Sequence, residues 1–383
     1  MVAVNYEVQV VHVDHDDWAA DLRQALSSEL LRIGMHTSVT VDVTTAPPTL
    51  RAPSVAVAFL GPSLKLEVSA ISQIDAAVRA GRVVIPVVDD LSTFQAESPP
   101  SLSPINGFEW SGEVPERRLA QLILEELGIE DRDRRVFLSH KRSDGLGAAE
   151  QLHDELTRNR FVPFVDRFAM LPGVDVQTHI ADALEDFAFL LVLETEEAYL
   201  SDWVFDEIDY ALSHTMGMLI VQWPNVVSEI PGTQGVPRVR LADDDIEDND
   251  HGYQVLKPAV LDSLIRDVEV AHASGIVRRR RMLVSSVEDA ARTAGATCIP
   301  LRDWCIDVDA ASGRSIVGVT PRLPATEDLQ LVDDTRASID PGAGALLVHP
   351  TRRIREPTRK HLDWVIGIRN LELLPDNAIG ARW

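Results

Sequence analysis

The feature that most restricts this chain is the succession of strand-length apolar runs and amphipathic stretches along most of its length. That alternation is the mark of parallel strands joined by helical crossovers, an α/β fold with helices covering the sheet. In the first third, strands are expected over residues 8–13, 38–43, 55–60 and 83–88, with helices over 17–32 and 65–79. Residues 90–115 carry prolines and serines and read as loop, 117–127 as a closing helix, and the charged run 130–134 as a linker. A second cycle starts at once. It has strands over 136–138, 162–165, 188–193 and 218–221, helices over 146–159, 176–186, 202–213 and 254–271, and an acidic loop over 243–250. From residue 278 the pattern changes to a hairpin, 304–308 with 315–319, and then strand, helix and strand over 346–349, 358–369 and 371–374. The expected domains are 1–130, 135–272 and a smaller α/β domain over 276–383.

Charge and cysteine usage exclude several classes of function. The 383 residues carry a formal charge of -24, so nucleic acid is not the expected partner, because phosphate binding needs clustered cations. The run 278–281 is the one basic cluster, and it reads first as a solvated turn or helix end. Cys298 and Cys305 match no zinc or redox spacing. The acidic segment 243–250 lacks the glycine and final glutamate of a calcium loop. No metal is therefore expected. The first 13 residues lack the basic start and apolar core of a secretory leader. No apolar run reaches the roughly 18 residues of a membrane span, so a cytoplasmic protein is expected.

Three stretches of the middle third carry a more specific signal. The first is Arg135-Val136-Phe137-Leu138-Ser139-His140-Lys141-Arg142-Ser143-Asp144, a short strand running into a polar loop. The second is Phe164-Val165-Asp166 followed by Leu171-Pro172-Gly173. The third is Tyr199-Leu200-Ser201-Asp202-Trp203-Val204-Phe205-Asp206-Glu207-Ile208, in which a tryptophan precedes a glutamate by one helical turn. Three boxes in this order resemble the TIR (Toll/interleukin-1 receptor) domain family, and in particular its NAD-cleaving bacterial-type members. The resemblance implies a flavodoxin-like domain around a parallel sheet. It also implies cleavage of the nicotinamide–ribose bond of NAD+, with NAD+ a substrate rather than a cofactor, in an antiphage effector or signal generator. Glu207 matches the catalytic carboxylate, and Ser139, Lys141, Arg142 and Trp203 match positions that line the nucleotide pocket. The loop 166–173 matches the segment through which such domains self-associate, and the flanks leave room for an activating ligand or protein. The competing reading is a TIR scaffold that signals by oligomerising without catalysis.

The chemistry of the third box can be argued from its residues. Ser201 or Asp202 can cap the helix, and Val204, Ile208, Ala211 and Leu212 form its apolar stripe. Trp203 and Glu207, one turn apart, share an edge that borders the core without belonging to it. A fixed carboxylate there can stabilise the cationic ribose that develops as the neutral pyridine leaves. Lys141 and Arg142 follow the first strand, where open α/β sheets bind ligands, and can meet the anionic pyrophosphate. Ser139-His140 is discounted as a nucleophile pair, because strand neighbours point to opposite faces. Gly145-Leu146-Gly147 lacks the third glycine of a dinucleotide fingerprint.

The first third can be laid on the second. Gln73-Ile74-Asp75-Ala76-Ala77 then matches Glu207-Ile208-Asp209-Tyr210-Ala211, with Ser69 in place of the tryptophan. Two readings stand side by side: an inactive TIR-like copy, whose neutral Gln73 cannot stabilise a cation, or an unrelated α/β unit with the same succession of elements.

Overall fold

The structure, a computed structural model, describes all residues other than 1–3, 14, 33–35, 37–38, 49–53, 81, 103–104, 113, 128, 130–133, 166–183, 185–186, 227, 302–303 and 353. It divides into two compact units, Met1–Arg134 with Asp262–Ser274, and Arg135–Leu261 with Gly275–Trp383. Among the described residues no helix is long and apolar enough to cross a membrane.

In the first unit, β1 (Val4–Val11), β2 (Val39–Thr44), β3 (Ser54–Phe59), β4 (Val83–Val88) and β5 (Phe108–Glu109) form a sheet in the order β2-β1-β3-β4-β5, every pair parallel. The helices are α1 (Asp16–Arg32), α2 (Pro62–Leu66), α3 (Val68–Arg79), α4 (Phe94–Glu97) and α5 (Pro115–Glu126). The helix expected over 65–79 is thus two. Glu67 is extended and caps α3, its side chain accepting from the Ser69 amide at 3.3 Å. The expected loop 90–115 holds short helical turns and the fifth strand, which borders β4.

Arg134, expected in a solvated linker, is fully buried. Its guanidinium pairs with Glu269, with Nη1 donating to Oε2 at 3.0 Å, and the Tyr6 hydroxyl donates to the same carboxylate. Burial, and then the Glu269 charge, push the Tyr6 pKa well above its usual value. Burial opposes the charge on Arg134, but Glu269 and Tyr6 more than offset it and raise its pKa. One-letter patterning could not reveal this, since a lone arginine in a charged run looks solvated until its partner, more than a hundred residues away, is in place.

In the second unit, β6 (Arg135–Ser139), β7 (Val162–Val165), β8 (Phe189–Glu194), β9 (Gly217–Gln222) and β10 (Arg238–Arg240) form a parallel sheet in the order β7-β6-β8-β9-β10. Counted by position along the chain this is 2-1-3-4-5, the flavodoxin-like order, and the first unit's sheet has the same order. Its helices include α6 (Arg142–Arg158) and α7 (Asp202–Ser213). Every residue of β8 and β9 is buried, as strands covered on both faces require. The expected helix 176–186 lies outside the described residues, apart from buried Leu184.

The acidic stretch 243–250 is not simply loop. A 3-10 turn leads into β11 (Ile246–Asp248), which pairs antiparallel with β12 (Gln254–Leu256). The Gln151 side-chain amide of α6 spans the Leu256 backbone, donating to its O at 2.7 Å and accepting from its N at 2.8 Å. Gly147 has a packing role here: a Cβ on it would lie 2.7 Å from the Gln254 oxygen.

The helix expected over 254–271 instead runs as α8 (Pro258–Thr293), through the boundary expected between 272 and 276. Pro258 holds the preceding residue extended and sits in the first helical turn. No proline follows before residue 293 to stop it. Gly275 does not break the helix because its small size is used in packing: a Cβ there would meet the Cα of Gly217 at 2.7 Å. Arg279 and Arg280, expected in a solvated turn or helix end, are buried. Arg279 faces Asp376 at 3.5 Å, and Arg280 lies over the Trp304 ring, 5.3 Å from its centre.

The remaining strands, β13 (Thr297–Pro300), β14 (Cys305–Ala310), β15 (Gly313–Val319), β16 (Gly344–His349) and β17 (Leu371–Pro375), form a third sheet in sequence order. The expected hairpin is β14–β15, and β15, β16 and β17 are parallel. Their crossovers are α9 (Thr326–Ile339), which the reading of the sequence passed over, and α10 (Glu356–Arg369). One face packs against α8 through Leu283, Val287 and Ala291, and the other against α9 and α10 through Leu329, Val332 and Leu362.

Glu269→Gln leaves the Arg134 charge buried with its ion pair broken, a change that typically costs about 3–5 kcal/mol. Denaturant unfolding should show a loss of that size for Glu269→Gln and a much smaller one for Tyr6→Phe. Equal, negligible losses would contradict a stabilising role for the cluster.

Candidate functional site

β6 is buried from Val136 to Ser139 and delivers its loop at the C-terminal end of the sheet, next to β8. Ser139 is 1% exposed, and its Oγ has no hydrogen-bond partner among the described residues. Lys141 is half-buried in the N-cap position of α6, and Arg142, the first helical residue, is exposed. Both cations therefore lie at a helix N-terminus, where unpaired amides and the helix dipole favour an anion.

Trp203 and Glu207 project from α7, which follows β8 after a 3-10 turn, Ala198–Leu200. Val204, Ile208 and Ala211 are buried as the pattern requires, whereas Leu212 is 38% exposed. Ser201 takes the N-cap position, but its side chain makes no capping hydrogen bond. Glu207 was expected on an edge outside the core, yet it is only 6% exposed, while Trp203 is 37% exposed. The helical wheel gives the reason. At about 100° per residue, Ile208, Val204 and Ala211 span an arc of about 60°. Glu207 falls about 40° beyond Ala211, and Trp203 about 40° further round. The carboxylate belongs to the buried side and the indole to the rim.

Two groups to which the reading of the sequence gave no role organise this edge. Asp144, in the first turn of α6, accepts from Thr195 Oγ1 at 2.8 Å and from the Glu197 amide at 2.9 Å. Ser143 Oγ donates to the Glu197 carboxylate. The loop bearing Lys141 and Arg142 is thereby tied to the segment leading into α7. Glu194, the last residue of β8, is fully buried in a bidentate pair with Arg238, at 3.0 Å to Nε and 3.2 Å to Nη2. The Ile230 amide donates to the same carboxylate at 2.8 Å. Glu194 had a legible signal, a charged residue ending an otherwise apolar strand. With both oxygens held by a guanidinium, it is neutralised and serves structure. Glu207 is a second buried carboxylate and stands in the next helix.

In the first unit the matching element is α3. Val68, Gln73 and Val83 precede Asp202, Glu207 and Gly217 by the same number of positions, so helix start, aligned residue and strand start coincide. Gln73 Oε1 accepts from Gln9 Nε2 at 3.0 Å, and Gln9 Oε1 accepts from Arg82 at 2.9 Å. At the C-terminal ends of β1, β3 and β5 stand aromatic rings: His15 and Trp18 lie 4.3 and 5.0 Å from Phe59, and Trp110 lies 5.9 Å from Trp18. The second unit has Ser139 at the end of its first strand and Lys141 and Arg142 just after it.

The loop 166–173 lies outside the described residues. Residues 136–257 match the family model described as TIR domain, ending one residue before α8 begins. No curated protein matches the chain.

Asp144→Ala removes the acceptor shared by Thr195 and Glu197. It should cost about 1.5–3 kcal/mol, the range for hydrogen bonds to a charged group, and speed amide exchange at Glu197, with Asp144→Asn milder. Unfolding curves and hydrogen exchange check this, and unchanged exchange at Glu197 would remove Asp144 from its tying role.

Proposed function

We propose that the TIR domain at residues 136–257 cleaves the nicotinamide–ribose bond of NAD+, with Glu207 as the catalytic carboxylate. The observation that carries the reading is a buried carboxylate one helical turn below a half-exposed tryptophan, on the helix after β8, at the ligand-binding edge of a 2-1-3-4-5 sheet. As the glycosidic bond breaks, its electron pair leaves with nicotinamide and the ribose becomes cationic at C1′. A carboxylate shielded from water stabilises that charge more strongly than a solvated one. Water then adds to C1′ in hydrolysis, or an adenine ring nitrogen in cyclisation. Trp203 supplies an aromatic wall at the rim. Lys141 and Arg142 meet the pyrophosphate, and Ser139, with its free hydroxyl oxygen, offers a hydrogen bond at the base of the site. The family resemblance supports a role as an antiphage effector or signal generator.

The test is NAD+ turnover measured beside thermal unfolding. Glu207→Gln keeps the shape and removes the charge, and should lower turnover by about 10²- to 10³-fold. Glu207→Asp should also be impaired, because the charge is withdrawn by one methylene. Gln73→Ala, in the first unit, should leave turnover unchanged. The burial of Glu207 is what favours the second reading, a scaffold in which this carboxylate serves packing alone. On that reading Glu207→Gln shifts unfolding and NAD+ loss is absent from wild type and variant alike.

Self-association through the loop 166–173 belongs to the same proposal and rests on the resemblance. Pro172→His should reduce both NAD+ loss and the assembled fraction in sedimentation while the monomer stays folded. A monomeric variant with wild-type turnover would refute a role for assembly.

A further inference from the structure

The third sheet ends in buried polar groups that neither the fold nor the proposed chemistry uses. β15, β16 and β17 are parallel, with Val319 beside Val348 and His349 beside Pro375 in register. Thr320, His349 and Asp376 therefore succeed one another across the C-terminal ends of three adjacent strands. This is the end of a parallel sheet at which open α/β folds bind ligands.

Thr320, His349 and the neighbouring Arg279 each have a polar side-chain atom with no hydrogen-bond partner among the described residues. Thr320 is 2% exposed, and its amide donates to Val348 O at 3.0 Å, but its Oγ1 has no partner among the described residues. His349 is 3% exposed, with Nδ1 2.8 Å from Pro350 O. A carbonyl can only accept, so Nδ1 carries the proton, and the neutral ring presents Nε2 as a lone pair, also without a partner. Burial lowers the His349 pKa and keeps the ring neutral. Arg279 is 7% exposed; its Nη2 faces Asp376 at 3.5 Å, and its Nε has no partner. Asp376 is itself occupied, its other oxygen accepting from the Thr351 amide at 2.8 Å and from the Thr351 hydroxyl.

Three unpaired polar atoms on side chains more than nine-tenths buried are costly to a folded chain, since each forgoes water without replacement. One ligand chemistry matches all three. A guanidinium N–H and a threonine hydroxyl donate to anionic oxygens, and an imidazole lone pair accepts from an acidic O–H. A hydrogen phosphate or phosphate monoester carries both functions. The helices α9 and α10, 14 residues each, begin just beyond these strands and direct their N-termini to the same end of the sheet. Residues 279, 320 and 349 all lie beyond the TIR domain match.

We propose that Thr320, His349 and Arg279 form a binding site for a phosphate group, separate from the TIR domain. The site does not depend on whether the TIR domain cleaves NAD+, so it is tested by binding.

The full chain at low ionic strength is titrated by calorimetry with inorganic phosphate, adenosine monophosphate and adenosine, and its unfolding temperature is followed with each. Phosphate and the monophosphate should bind saturably and raise the unfolding temperature, and adenosine should do neither. Tighter binding of the monophosphate than of phosphate identifies a monoester ligand, and equal binding identifies free phosphate. Thr320→Val keeps the side-chain shape and removes an unpaired buried hydroxyl. Without ligand it should unfold no earlier than wild type, yet bind phosphate about tenfold or more weakly. His349→Gln should weaken binding similarly, and Lys141→Ala should leave it intact. The proposal is overturned if wild type shows no saturable binding at millimolar phosphate, or if Thr320→Val and His349→Gln bind as wild type does. Loss of binding in Lys141→Ala alone would also overturn it, by locating the phosphate in the TIR domain.

Discussion

A parallel strand cannot turn back on its neighbour, so each one must be followed by a crossover that returns to the opposite end of the sheet. The crossovers cover both faces, which is why β8 and β9 are buried at every position. With the faces closed, polar chemistry is concentrated in the loops at the strand ends. Ser139, Lys141, Asp144, Glu194, Trp203 and Glu207 all fall at or just beyond the C-terminal ends of β6 and β8, because the topology leaves polar residues little other room.

The same enclosure sets how charge is handled inside. Arg134 with Glu269, and Arg238 with Glu194, are arginine–carboxylate pairs with almost no exposure. Both are bidentate, the geometry that best repays the loss of hydration. Each pair uses up the charges it contains. Bound by a guanidinium and the Ile230 amide, Glu194 is fixed in place and chemically quiet.

The two 2-1-3-4-5 sheets give the same contrast on a larger scale. Helix start, aligned side chain and following strand coincide in α3–β4 and α7–β9. One copy bears a glutamine bonded to Gln9, the other a buried glutamate. At the strand ends, the first unit gathers aromatic rings around Phe59, where the second presents hydroxyl and cationic side chains. The scaffold accommodates both because its apolar faces pack in the same way whichever side chains stand at the strand ends.

The sequence by itself determined the succession of elements, since apolar periodicity follows from which faces are covered. Strands Val83–Val88 and Val162–Val165, helix Asp202–Ser213 and the hairpin β14–β15 were legible for that reason. The three boxes of the middle third, and Glu207 within them, were legible as motif. What the pattern could not carry was partnership over long separation. Arg134 looked like part of a linker, Arg279 and Arg280 looked like a turn or helix end, and α8 looked as if it ended at residue 271, because a local window cannot see Glu269, Asp376 or the bare backbone of Gly217. The tertiary structure decided those positions. A buried charge or a glycine inside a helix is tolerated only when a particular distant atom is there to meet it.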